Sequence, residues 1–194
     1  PDGTPVPAAD CLFDGRVVMT ADLATPVVGY LAKRCHRPIV LAEVAGHDGA
    51  DYFTPLPRPA SGFLYLQKDS FYILATHEGV RVPGAYACEM VPYDATAGEF
   101  RAHYAGFFDP GWGVRAPEQR QGTRAVLEVR PHEEDLILRH GQPICAMAYE
   151  RLSQPCERLY GGAGSNYTAQ DGPRLSKHFR GQGEPPPTPP HSST

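Results

Sequence analysis

The sequence predicts a mainly β protein, a sandwich or distorted barrel of short strands with one or two short helices. Three observations predict it. There are 20 glycines and 21 prolines, so 41 of 194 residues interrupt regular structure, which is more than average usage and ill suited to a helical bundle. Short apolar runs recur with turn signals about every ten residues. Finally, Arg124-Ala-Val-Leu-Glu-Val-Arg130 alternates with period two. Val126, Glu128 and Arg130 therefore share one face of a strand, and Ala125, Leu127 and Val129 share the other.

Residues 1–15 read as an irregular lead-in. Strand-like runs follow at Arg16–Thr20, Val27–Leu31 and Pro38–Ala42, and residues 46–62, rich in proline, glycine and acidic side chains, read as a loop. Phe63–Leu66 and Phe71–Ala75 flank Gln67-Lys-Asp-Ser70, a hairpin pattern. Val80–Val82 is a short strand stopped by Pro83, and Tyr93–Phe100 is the predicted helix, with Asp94 as its N-cap. Asp109-Pro-Gly111 fits a tight reversal. A polar loop over 113–123 leads into the alternating strand, and Leu136–Leu138 and Ile144–Tyr149 come last, joined by Arg139-His-Gly-Gln-Pro143. The domain so defined spans 16–180. Residues 181–194, with Pro185-Pro-Pro-Thr-Pro-Pro190, read as a disordered or polyproline-like tail. No internal repeat stands out.

A formal charge of −4 argues against a general binder of nucleic-acid backbone. The five cysteines, Cys11, Cys35, Cys88, Cys145 and Cys156, are odd in number and widely spaced, which fits reduced thiols in a cytoplasmic protein rather than a disulfide framework or zinc knuckle. No apolar run is long enough for a membrane span and no signal peptide is visible. The chain starts at Pro1 without a methionine, as a processed chain or a piece of a longer protein would.

Glu128 is the foremost candidate for chemistry. A carboxylate inside an apolar strand pattern, held partly dry, has a raised pKa and can pass protons near neutral pH. The alternative is an outward Glu on a half-exposed strand. Asp109 suits a turn, and Trp112, the single tryptophan, suits a core or interface anchor. Tyr160-Gly-Gly-Ala-Gly-Ser-Asn-Tyr167 is glycine-rich, and its backbone N–H groups could cradle phosphate. It has neither the Lys-Ser/Thr ending of a P-loop nor dinucleotide-loop spacing. Lys177, His178 and Arg180 add positive charge downstream, fit for an anion such as a triphosphate or simply a solvated basic end. The eight histidines form no H-E-x-x-H or other metal pattern, which argues against a zinc hydrolase and the zinc-dependent deaminases.

Several segments together resemble a family. Ala105-Gly-Phe-Phe-Asp-Pro-Gly-Trp112, then Ala125-Val-Leu-Glu-Val129, then Ile137-Leu-Arg-His-Gly-Gln-Pro-Ile-Cys145 are similar to the core of dCTP deaminases, of the dUTPase-like, β-clip superfamily. The resemblance is closest to the C-terminal half of the long, duplicated alphaproteobacterial type, through Phe71–Ala75, Glu89-Met-Val-Pro92 and Leu175-Ser-Lys-His-Phe179. It covers roughly residues 70–180. Before that it is thinner, with Asp22-Leu23 similar to a substrate-side segment.

The resemblance implies hydrolytic deamination of dCTP to dUTP and ammonia in a trimeric enzyme or a pseudo-hexamer of duplicated halves. Glu128 matches the glutamate that activates water, and the backbone carbonyl of Ala105 matches one that holds that water and the base. Asp109 matches a turn aspartate beside the deoxyribose. Tyr160, Tyr167 and Gln170 match a closing segment over triphosphate or base, to which Asn166 and Lys177 are added. It implies Mg2+ bound with the triphosphate, no zinc, no nucleic acid and no membrane partner.

The chain also departs from the family pattern. Val91-Pro-Tyr-Asp-Ala-Thr-Ala-Gly98 has neither the two serines nor the arginine of the family's Ser/Arg helix. Phe107 stands in place of a basic residue, and Asn166 in place of a lysine. An N-terminal half outside this chain is expected to supply the Ser/Arg side, which would leave this chain alone inactive or weak. The other readings are a non-catalytic structural half, a dUTP diphosphatase and a nucleotide sensor.

Overall fold

The computed structural model describes residues 7, 11–93, 102–103 (backbone only), 106–114, 122–162, 165, 167 and 170–181. The strands are β1 (Leu12–Phe13), β2 (Arg16–Thr20), β3 (Val27–Ala32), β4 (His47–Asp48), β5 (Phe53–Pro57), β6 (Phe63–Leu66), β7 (Tyr72–Val80), β8 (Tyr86–Val91), β9 (Ala102–His103), β10 (Phe107–Phe108), β11 (Thr123–Val129), β12 (Leu136–Arg139), β13 (Pro143–Arg151) and β14 (Phe179–Arg180). One short helix, α1 (Gly49–Tyr52), lies between β4 and β5. The fold is thus mainly β, as the sequence predicts. One five-stranded sheet runs β1-β2-β13-β8-β10 and the other β5-β3-β7-β11-β9, with two-stranded pairs β12-β6 and β14-β4 beside them. Among the described residues these sheets stay open and do not close into a barrel.

The sheets face each other across the main core. Met19, Cys145 and Met147 come from one sheet and Leu74, Leu127 and Val129 from the other, all essentially inaccessible. An isolated bridge between Ala21 and Thr76 and the bond from Asp22 N–H to Ala75 C=O (3.1 Å) join the sheets at one corner. A smaller cluster, including Tyr30, Ile73, Leu175 and Phe179, with Val126 packed against it, covers part of the second sheet's other face. The alternation expected along 124–130 is present: Ala125, Leu127 and Val129 are buried in the main core, while Val126 and Glu128 turn to the opposite face.

The β7–β11 ladder sets that alternation, and it carries a bulge between Arg124 and Val126. The bulge takes the Ala125 N–H off the ladder, and the buried Thr76 hydroxyl accepts it at 3.0 Å while donating to Glu78 C=O at 2.8 Å. An unpaired buried N–H would be costly, so Thr76 makes the bulge tolerable.

Several expectations are corrected. The lead-in contains β1, which pairs with β2 through Asp14-Gly15. Both turn residues have positive φ (50° and 73°), the geometry of a tight Asp-Gly hairpin. Pro38–Ala42 is not a strand. Its apolar side chains are exposed and no sheet edge reaches it. The region 46–62 is a loop only at 46 and 58–62; residues 47–57 hold β4, α1 and β5. Asp48 caps the helix by accepting the Ala50 N–H at 3.0 Å, and β5 tolerates Pro55 and Pro57 because it is an edge strand.

Phe63–Leu66 and Phe71–Ala75 do not form a hairpin together. The turn is real, with Ser70 N–H on Gln67 C=O (3.2 Å), but β6 pairs with β12 and β7 with β3 and β11. β7 runs unbroken to Val80, and β8 was not foreseen. The expected helix at Tyr93–Phe100, apart from Tyr93, most of the loop 113–123 and the tail 182–194 lie outside the described residues.

All five cysteines are free thiols. Burial pushes the Cys88 thiol up to about 12, with Glu89 adding to it, and raises Cys145 further. No helix among the described residues is long and apolar enough to cross a membrane.

Thr76→Val keeps the shape of the side chain and strands the Ala125 N–H. It is expected to cost about 1–3 kcal/mol, read as a lower urea midpoint at unchanged m-value. An unchanged midpoint would show that the bulge holds without this bond.

Candidate active site

A cleft of about 510 Å³ lies over the outer face of the second sheet, within the range of small-molecule sites. Its floor is made by side chains that alternation turns away from the core: Phe71 beside the start of β7, Ile73 on β7, and Val126 and Glu128 on β11. Glu128 is directly opposite Ile73 on the ladder and opposite His103 of β9 on its other side.

One wall is the 106–112 turn. Trp112 N–H donates to Asp109 C=O at 3.0 Å, with Pro110 and Gly111 at the central positions and Gly111 at φ 91°. This is a type II turn and needs glycine there. It is docked by reciprocal bonds to the buried Val82, just after β7: Gly111 N–H to Val82 C=O and Val82 N–H to Trp112 C=O, both 2.9 Å. Trp112 is buried edge-to-face on Phe108 (4.6 Å, 76°), a core anchor that also borders the cleft.

The second wall is the chain after β13. Tyr160 N–H donates to Pro110 C=O (2.8 Å), which fixes this wall against the first. Gly161 N–H donates to the Ser165 hydroxyl (2.9 Å), Tyr167 N–H to the Tyr160 hydroxyl (3.2 Å), and the buried Gln170 Nε2 to Arg124 C=O (3.1 Å). Among the described residues, Tyr160 is thus tied to the Pro110 turn, Gly161 and Tyr167 to neighbours within the segment, and Gln170 to β11.

Five side chains singled out in the sequence, Glu128, Asp109, Tyr160, Tyr167 and Gln170, border this one cleft. Ala105 and Asn166 lie outside the described residues. Lys177 is exposed and does not line the cleft; its C=O accepts Ala45 N–H at 2.9 Å. His178 Nδ1 contacts Glu43 C=O (3.0 Å) and Arg180 donates to Gly46 C=O (3.0 Å). This basic run thus ties the C-terminal strand to the 43–48 segment.

The cation that does line the cleft is Arg174, which sequence reasoning missed. Asp171-Gly-Pro-Arg174 reads as an ordinary loop, and nothing local marks its arginine. Phe107, in place of a basic residue, is 77% exposed at the cleft's edge. The expected shielding of Glu128 is not met within this chain: the residue is exposed. Its flanking side chains lie beside it in the sheet, and nothing described closes the cleft above.

A second polar group sits on the core side of β11. The bulge turns Arg124 inward, where its guanidinium forms an ion pair with the fully buried carboxylate of Asp22. Burial lowers the Arg124 pKa, opposed by the charge of Asp171.

The profile of the family described as 2'-deoxycytidine 5'-triphosphate deaminase (DCD), C-terminal domain, matches residues 7–179. The chain belongs to this family. Among solved structures, the DCD C-terminal domain seen here is similar to the crystal structure of 2'-deoxycytidine 5'-triphosphate deaminase from Agrobacterium tumefaciens. The two share 42% sequence identity at a TM-score of 0.66, over 73% of this chain and 43% of that one. The matched region thus spans less than half of that enzyme. Comparison with curated protein sequences gives no match.

The DCD domain's two cleft walls meet at Gly111, where an added Cβ would stand 2.8 Å from Leu159 Cβ. Gly111→Ala combines this clash with an unfavourable positive φ and is expected to destabilise the domain by about 1–3 kcal/mol. Thermal unfolding reads the loss, and a melting temperature equal to wild type would contradict this account of the junction.

Proposed function

We propose that the chain is the C-terminal half of a dCTP deaminase. It converts dCTP and water to dUTP and ammonia in the cleft over β11, with Glu128 as general acid and base and a neighbouring domain or subunit completing the site. The observation that carries this reading is the position of Glu128. Its carboxylate lies on the floor of a nucleotide-sized cleft, flanked by Val126 and Ile73 and bordered by Asp109 and the Tyr160–Gln170 segment. Membership of the DCD family supports it.

The chemistry asks little of the protein beyond positioned proton transfer. Glu128 takes a proton from water as the oxygen adds to C4 of the cytosine, and returns it to ring nitrogen N3. The second water proton passes by the same carboxylate to the exocyclic nitrogen, which leaves as ammonia, and C4 becomes a carbonyl. One carboxylate can serve each step if held close to the base and away from bulk water. In this chain it is exposed, so the closure must come from substrate and partner.

In this proposal Asp109 stands beside the deoxyribose and the Ala105 carbonyl holds water and base. Tyr160, Asn166, Tyr167 and Gln170 belong to the closing segment, and Arg174, rather than Lys177, reaches phosphate. Magnesium travels with the triphosphate. The described residues lining the cleft offer two carboxylates, Asp109 and Glu128, and no cluster of three ligand atoms. These do not fit a protein-held ion, and no step runs through one. The proposal places the enzyme in the cytoplasm as a trimer or pseudo-hexamer of paired halves.

A second reading, a half retained for assembly without turnover, is favoured by one observation. Arg174 is the sole cation among the described lining residues, too little for a triphosphate. Ammonia release from dCTP by this chain, with and without the N-terminal half, separates the two. Turnover only with both halves, lost when Glu128 is changed here, supports the first; turnover indifferent to Glu128 supports the second.

Glu128→Gln is expected to lower kcat by at least about a hundredfold with folding and KM little changed. Retained turnover would remove Glu128 from the chemistry. Arg174→Ala is expected to raise the KM for dCTP about tenfold, the scale of one charge-assisted hydrogen bond, and more than Lys177→Ala does. Equal effects would undo the assignment of Arg174.

A further inference from the structure

On the core side of β11, away from the nucleotide cleft, three potential metal ligands converge from distant parts of the chain. Asp22 follows β2, His77 sits within β7, and His140 lies in the turn between β12 and β13. One ligand atom from each lies within 4.8 Å of the others. Nδ1 of His77 is 3.8 Å and Nδ1 of His140 3.7 Å from Asp22 Oδ1. These separations are too long for hydrogen bonds. They are close to the roughly 3.3 Å between ligand atoms that tetrahedral coordination at about 2.0–2.1 Å requires.

Two further observations point to a ligand. His77 Nδ1 is buried and makes no hydrogen bond, an unsatisfied position that a folded protein normally avoids. The two imidazoles meet edge-to-face at 4.8 Å and 87°, so they approach the carboxylate from different directions. His140 Nδ1 accepts the Leu23 N–H at 3.2 Å. In the neutral ring the proton then sits on Nε2, and the one lone pair of Nδ1, now on the Leu23 N–H, is the one a metal would take.

The carboxylate is also held from behind. Asp22 Oδ2 pairs with Arg124, and Oδ1 accepts the Ala24 N–H at 3.0 Å. Outer partners of this kind fix a ligating carboxylate in place. His140 also borders a hollow of about 280 Å³ that Arg58 and Leu23 help line, which gives an ion an entry path and leaves a coordination position facing solvent.

We propose that Asp22, His77 and His140 bind a borderline divalent transition ion such as Zn2+. The donor set of two imidazoles and one carboxylate suits such an ion better than Mg2+ or Ca2+. The ion replaces the Leu23 contact at His140 and satisfies His77. Its role is structural: it clips the end of β2 to β7 and to the β12–β13 turn, at the corner where the Ala21–Thr76 bridge joins the two sheets. Arg124 and the ion both carry positive charge, so the open position favours an anionic fourth ligand such as hydroxide or chloride.

The test uses the purified chain after chelator dialysis, titrated with Co2+ and then with Zn2+. Saturable binding of one Co2+ per chain with visible d–d absorption is expected, together with a melting temperature that rises with Zn2+ concentration. His77→Gln and His140→Gln each weaken binding at least about tenfold, while His36→Gln leaves it unchanged. Both replaced side chains are partly exposed, and circular dichroism checks that the variants fold. Histidine NMR signals give a second reading, since Zn2+ should shift those of His77 and His140 together. Absence of saturable binding, or binding unmoved by both substitutions, overturns the proposal.

Discussion

The pairing of β11 with β7, with one residue bulged out of its ladder, is the constraint on which the rest depends. The bulge at Ala125 changes the strand's phase. On one side of it Arg124 points into the protein and meets Asp22; on the other, Val126 and Glu128 point out over the cleft. The Thr76 hydroxyl takes up the amide that the bulge displaces. Without that bond the strand would gain free energy by returning to regular register. A slip of one residue would exchange its two faces, sending Glu128 toward the core and Leu127 toward solvent.

Around this strand the protein is divided by depth. The dry inner face packs Leu127 and Val129 against the opposing sheet, and the rigidity of close packing there is what fixes the outer face. The outer face is wet, and its walls are loops held by a small number of hydrogen bonds, chiefly Tyr160 N–H to Pro110 C=O and the Gln170 side chain to Arg124 C=O. This arrangement suits a site that must admit a nucleotide and then exclude water. On the function proposed above, the strand holds the reacting carboxylate in place, and loops or a partner supply the closure. On that proposal, the exposure of Glu128 and the single cation among the described lining residues, Arg174, describe half of such a site. The region matched to the crystallised relative likewise spans 43% of that chain.

Much of the fold and part of the candidate site were legible in the sequence. The period-two pattern at 124–130 located β11 and sorted its faces, because side-chain direction in a strand depends only on position along it. Asp-Pro-Gly at 109–111 read correctly as a turn, because the φ demands of a turn are met by the residues themselves. Where the reading failed, the missing information lay elsewhere in the chain. Gln67–Ser70 does turn, but its flanking strands find partners in β12 and β11 rather than in each other. Pro38–Ala42 has the composition of a strand and no edge to join. The region 46–62 has the composition of a loop, yet 49–57 is held as an edge strand and capped helix by β3 and Asp48.

The sequence by itself determined what local chemistry can determine: a mainly β chain, the two faces of β11 and the reversal at Asp109–Trp112. Its motif resemblance supplied the family. Tertiary structure alone decided which strands pair, that Arg174 rather than Lys177 borders the cleft, and that Asp22, His77, His140 and Arg124 gather at one corner. Periodicity and turn propensity act through neighbouring residues. Strand partners and side-chain clusters are chosen by burial and hydrogen bonding between segments that meet only when long loops close.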